Sequence, residues 1–184
     1  GMSLEALREG IDWGFETFPE YISMLAEKGT VPNVACFLGH SSIRTYVMGA
    51  AATERAANDA EIDEMCAIIE QGMAAGAVGF ATSTAPQHNG WAGVPMPSRL
   101  ADDKELLALV QAMAKSGRGI FMLTKGNRTD VPYLEDLAKK TGRPIMIAAL
   151  LHNSTKPTGT LDELAQIADA RARGAYASRC TQLH

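Results

Sequence analysis

The sequence predicts an α/β fold, a partial TIM-type barrel of about four parallel strands alternating with helices. Four apolar runs, at residues 31–38, 77–81, 119–123 and 144–151, are short and apolar on both faces, as buried parallel strands are. Amphipathic segments of helical period separate these runs. The connections are lopsided: helix-to-strand links are brief and plain, whereas strand-to-helix links are longer and polar.

The helices follow from spacing. Ile62, Met65, Cys66, Ile69 and Met73 make an i, i+3, i+4, i+7 stripe, as do Leu106, Leu109, Val110 and Met113. Leu134 with Leu137, and Leu161 with Leu164 and Ile167, repeat the pattern. Thr17/Glu20, Asn58/Glu61, Asp102/Glu105 and Thr160/Glu163 have capping-box spacing, in which two orphan N–H groups are satisfied reciprocally. Gly29, Gly76, Gly117, Gly142 and Gly174 follow the helices, where a left-handed residue stops them. Strand–helix alternation implies parallel strands joined by right-handed crossovers.

The 184 residues are expected to form a single fragment, short of the ~250 that a closed eightfold barrel needs. The chain opens on a helix and ends just after Gly174-Ala175-Tyr176-Ala177, where a fifth strand would begin. The tail at 178–184 is polar and without period, and Gly1 reads as a cleavage scar ahead of Met2.

Composition narrows the function classes. At 46% hydrophobic and 21% charged residues, the chain is globular in character. A formal charge of −4 and no basic stripe argue against a nucleic-acid partner. The longest apolar run has eight residues, too few to span a membrane. Cys36, Cys66 and Cys180 lie far apart and form no CxxC pair, which fits a reducing cytoplasm. There is no G-x-G-x-x-G or Walker lysine motif, and no G-x-S-x-G elbow supports a serine hydrolase.

Candidate site residues fall on the strand-to-helix links, because barrels and open α/β sheets place their sites at strand carboxyl ends. His40 directly follows a strand, with Arg44 one helical turn on; the two could position a carbonyl or carboxylate, or simply begin a helix. His88, Asn89 and Trp91 lie within the long 82–100 connection, where a functional loop or lid is expected. Lys125 ends an apolar strand beside Thr124 and near Asn127. A lysine there could be a Schiff-base nucleophile, a carboxylate anchor, a carbamylated metal ligand, or a snorkelling side chain paired with an acid. His152, beside Asn153, could ligate a metal or serve as a hydrogen-bonded loop residue. No H-x-H pair occurs in the chain.

Read together, residues 11–21, 33–44 and 76–83 resemble the amidohydrolase superfamily, in its N-acyl-D-amino-acid deacylase (D-aminoacylase) branch. The likeness runs from about Glu5 to Arg173 and fades over the last ten residues. It implies a TIM barrel, a divalent, zinc-like metal, and hydrolysis of the amide of an N-acyl amino acid by metal-bound hydroxide. On such a barrel this chain would hold about strands three to six, leaving the H-x-H pair, a second-strand cysteine and an eighth-strand aspartate outside it. Thr124 falls where the family's fifth-strand histidine would be, and Ala149 at the matching sixth-strand position. His152, three residues on, would point to the opposite strand face.

The resemblance therefore implies a metal-dependent C–N hydrolase as the longer protein, with no metal ligand assignable here and no activity from this chain alone. Lys125 is the candidate catalytic residue; His40, Arg44, His88, Asn89, Thr124, Asn127 and His152 are the candidate substrate contacts. A Schiff-base lyase using Lys125 and a non-catalytic half-barrel are the alternatives. Open strand edges favour a homodimer, with 34–38 and 145–150 as its expected interface.

Overall fold

The computed structural model describes residues 4–11, 13–150 and 154–174, together with the backbone of 177–179. One sheet in the order β1-β2-β3-β4-β5 forms the frame, and every pairing in it is parallel. Its strands are β1 (Phe37–Gly39), β2 (Gly79–Ser83), β3 (Ile120–Thr124), β4 (Ile145–Ile147) and β5 (Ala177–Arg179). The helices are α1 (Leu4–Gly10), α2 (Phe18–Lys28), α3 (His40–Met48), α4 (Asp59–Ala74), α5 (Asp103–Ala114), α6 (Val131–Thr141) and α7 (Gly159–Ala172).

The four expected strand–helix units are present, in chain order. β5 adds a fifth strand where the sequence marks only an entry, and it takes Ser178 and Arg179 out of the expected irregular tail. The first strand is shorter than its apolar run at 31–38. Its partner ladder begins only at Phe37↔Gly79, so Val31 and Val34 have nothing to pair with and stand in solvent.

Strand alternation sorts the sheet into two faces. Leu38, Phe80, Phe121, Leu123, Ile145 and Ile147 are buried in one core with Ile62, Met65, Ile69, Leu109, Met113 and Leu134 from the helices. The other face carries Ala81, Ser83, Met122, Thr124 and Met146, all half-buried. In register, Ala81, Met122 and Met146 form one layer of that face, with Ser83 and Thr124 in the layer nearer the strand carboxyl ends.

Two helix starts follow the full capping box, Thr17/Glu20 on α2 and Asn58/Glu61 on α4. At α5 the box is incomplete: Asp102 accepts the Glu105 N–H, but the Glu105 side chain turns inward instead of back to the cap. At α7 the helix starts at Gly159 after Thr158, two residues earlier than the Thr160/Glu163 box requires, and Glu163 pairs with Lys125.

Candidate functional site

The polar connections gather at the strand carboxyl ends. At β1, the chain passes from Gly39 straight into α3, which puts His40 at the helix start and Arg44 one turn on. Both are buried, at 1% and 0% exposure, and so is Glu105, at 0%. His40 Nε2 lies 2.7 Å from Glu105 Oε1, and Nδ1 lies 2.7 Å from the Thr82 hydroxyl on β2. A carboxylate only accepts, so Nε2 carries the proton and donates it to Glu105, while Nδ1 accepts from Thr82. Arg44 Nη1 donates to the second Glu105 oxygen, and Nη2 donates to the Arg55 carbonyl at 2.9 Å. The imidazole also packs against Phe80, 5.2 Å between ring centroids.

Burial drives the His40 pKa below its ordinary value, against the pull of Glu105. Burial works to raise that of Glu105, but hydrogen bonds from His40 and Arg44 overcome it and leave the carboxyl below its usual value. The group is thus a neutral imidazole beside a carboxylate–guanidinium pair. His40 and Arg44 are turned into the space between sheet and helices, where they brace the frame through Glu105.

At β2 the 82–100 connection is pinned rather than loose. Ser98 Oγ donates to the Ser83 carbonyl at 2.9 Å, and the Ser98 N–H donates to Ser41 Oγ at 3.2 Å. Arg99 Nη1 donates to the His88 carbonyl at 3.2 Å and to Asn89 Oδ1. Asn89 bridges to Pro95 across the stem, and Trp91 stands 93% exposed at the tip. His88 Nδ1 sits 2.7 Å from Ser83 Oγ at the end of β2. Asn89 is thus engaged within the loop, whereas His88, like Ser98, reaches the strand end.

At β3, Thr124 is the register partner of Ser83, and its carbonyl accepts the Thr84 N–H at 3.0 Å. The Gly126 N–H donates to Thr84 Oγ1 at 2.8 Å and Thr129 Oγ1 at 3.1 Å, which ties the ends of β2 and β3 together. A Cβ at Gly126 would overlap the Thr84 carbonyl oxygen, so the close approach requires glycine there. Lys125 Nζ pairs with Glu163 of α7 at 2.6 Å. Asn127 is exposed, and His152 lies outside the described residues.

Among the sequence candidates, the structure brings His88 and Thr124 to neighbouring strand ends, with Lys125 following Thr124. It also adds Glu105, Thr82, Ser83 and Glu163, which sequence reasoning did not single out. Both glutamates hid behind capping-box spacing, because an acid at that position satisfies the cap pattern whether or not it turns back. The described residues contain no group of three or more His, Cys, Asp or Glu able to hold a metal. Thr124 offers a hydroxyl and Ala149 no donor side chain, so the described residues do not fit a metal centre. A separate apolar pocket of about 400 Å³, lined by Phe15, Phe18, Tyr21, Phe37 and Tyr46, flanks the edge strand β1 and includes none of these candidates.

No family model matches the chain. It is 40% identical over 79 residues to a D-aminoacylase of Alcaligenes xylosoxydans xylosoxydans, a match covering 43% of this chain and 16% of that protein. To an N-acyl-D-aspartate deacylase of the same organism it is 40% identical over 70 residues, 38% of this chain and 14% of that protein. In fold it superposes on a D-aminoacylase described as defining a novel subset of amidohydrolases, with TM-score 0.79 and 22% identity. That match covers 100% of this chain and 38% of the solved one. An N-acyl-D-glutamate deacylase from Bordetella bronchiseptica, solved with zinc and a phosphonate inhibitor, gives TM-score 0.74 at 24% identity, covering 90% and 34%. The chain therefore spans well under half the length of the proteins it matches.

Proposed function

We infer that this D-aminoacylase-like chain is a stretch of strand–helix units from an amidohydrolase-type deacylase, a hydrolase of the amide bond in N-acyl amino acids or similar small amides. The observation that carries the reading is the 40% identity to D-aminoacylase over 79 residues. The polar strand-to-helix connections support it, since they collect His88, Thr124 and Lys125 on one rim. A divalent metal belongs to this reading of the longer protein. The described residues here do not make its site. What this chain supplies is a braced rim and the polar groups along it.

The isolated chain is expected to be inactive on N-acyl amino acids. Release of free amino acid from N-acyl-D-amino acids by the longer protein, with and without a chelator, tests the reading. Absence of hydrolysis across acidic, neutral and aromatic N-acyl-D-amino acids would remove it.

The Schiff-base alternative loses ground to the Lys125–Glu163 pair, because a lysine engaged with a carboxylate serves as a hydrogen-bond donor rather than an amine nucleophile. Self-association of the chain keeps one supporting observation, the half-buried apolar layer of Ala81, Met122 and Met146 beside an edge strand. Light scattering at micromolar concentration tests it, and a clean monomer would end it.

A further inference from the structure

We propose that Ser83 and His88 form a nucleophile–base pair that takes up an acyl group from an ester or activated amide of an aliphatic carboxylic acid. The proposal goes beyond the deacylase reading and uses only groups of this chain.

Ser83 Oγ accepts the Ala85 N–H at 3.3 Å, which directs its own proton elsewhere. The partner in line is His88 Nδ1, at 2.7 Å. That is the separation of a hydroxyl poised on a general base, which Nδ1 is in the tautomer that carries its proton on Nε2. The base is not carried on a free loop. Arg99 grips its carbonyl and the neighbouring Asn89, and Ser98 Oγ holds the Ser83 carbonyl, so nucleophile and base are fixed from both sides.

The surroundings suit an acyl donor. Thr124, across the ladder on the same face, brings a hydroxyl that can donate to a developing oxyanion. In the layer beneath lie Ala81, Met122 and Met146, half-buried and apolar, where an alkyl chain would rest.

In the step, Ser83 Oγ attacks the acyl carbon and forms a C–O bond while its proton moves to His88 Nδ1. The bond to the leaving alcohol or amine then breaks, and the leaving group takes that proton. Water reverses the sequence on the acyl-serine: it attacks the same carbon, His88 accepts its proton, and Ser83 recovers it as the acid departs.

An alkyl fluorophosphonate tests the pair on the folded chain, because Oγ–P bond formation expels fluoride and leaves a permanent adduct. Peptide mass spectrometry is expected to place one adduct on Ser83, absent from Ser83→Ala and from the urea-unfolded chain. His88→Gln should label about 100-fold more slowly. No adduct on Ser83, or an equal rate in His88→Gln or in urea, overturns the proposal. Should Ser83→Ala fail to fold, Ser83→Cys provides the second readout. Its thiol should be alkylated by iodoacetamide faster than Cys36 and Cys66, and His88→Gln should remove that advantage; no advantage would overturn the pair. Hydrolysis of N-acyl amino acids by the longer protein is read separately, so either idea can fail alone.

Discussion

Glu105 reaches from the first turn of α5 to His40 at the start of α3, Oε1 to Nε2 at 2.7 Å, and both side chains are shut off from solvent. The same carboxylate holds Arg44 with its other oxygen. One side chain thus fixes two residues of the neighbouring unit and, through His40 and Thr82, the strand between them.

Removing that carboxylate leaves the Arg44 guanidinium buried without a counter-charge. Glu105→Gln is expected to lower unfolding stability by about 3–5 kcal/mol, the usual cost of breaking a buried pair on one side. Urea denaturation measures it. A loss below about 1 kcal/mol would mean that water reaches the site.

The same group makes stability fall on acidification. His40 has a depressed pKa, so below its ordinary value of 6.5 the unfolded chain binds a proton that the folded chain refuses. Glu105 is also depressed, so below 4.5 it acts in the same direction. Both contributions are complete above the unfolded values and are lost as pH falls through the folded ones. Melting temperature should decline from pH 7 toward pH 4, and His40→Asn should flatten the upper part of that decline. A parallel decline in the variant would assign the effect to other groups.

At Gly126 the added methyl of alanine meets the Thr84 carbonyl, a backbone atom that cannot swing aside. Gly126→Ala is expected to cost about 1–3 kcal/mol as the ends of β2 and β3 are forced apart. Amide exchange should accelerate at Thr84 and Gly126, whose N–H groups close that junction. Unchanged exchange there would count against the tie.

Lys125→Met breaks a partly exposed ion pair, with Lys125 and Glu163 side chains 20% and 31% exposed. The stability change should stay within about 1 kcal/mol. Borohydride in the presence of a keto acid should leave no adduct on Lys125. A trapped adduct would restore the Schiff-base reading.

The helices were legible because their stripes are dictated by burial against one sheet. Ile62, Met65, Ile69, Met73, Leu106, Leu109, Val110 and Met113 are all within the core, whereas Leu161 is 65% exposed despite fitting its stripe. The first strand was overestimated because apolar character alone does not reveal where a ladder partner begins. The candidate site was legible as a set of loops but not as a set of contacts. His40 and Glu105 are 65 positions apart, and the Asp102/Glu105 spacing has the local explanation of a capping box. Ser83 escaped notice because its partner, His88, becomes meaningful only once the connection folds back on the strand end.

Strand order in the sheet matches order along the chain. Every ladder joins consecutive units, so no strand waits for a distant segment before it can pair. Such a sheet can grow by accretion, each unit docking on the one before, and sequence separation between contacting parts stays near one unit throughout. The Glu105–His40 clasp joins the unit that begins with β1 to the helix that follows β2. Register between consecutive units can therefore be proofread as they form, long before any enclosing ring is complete.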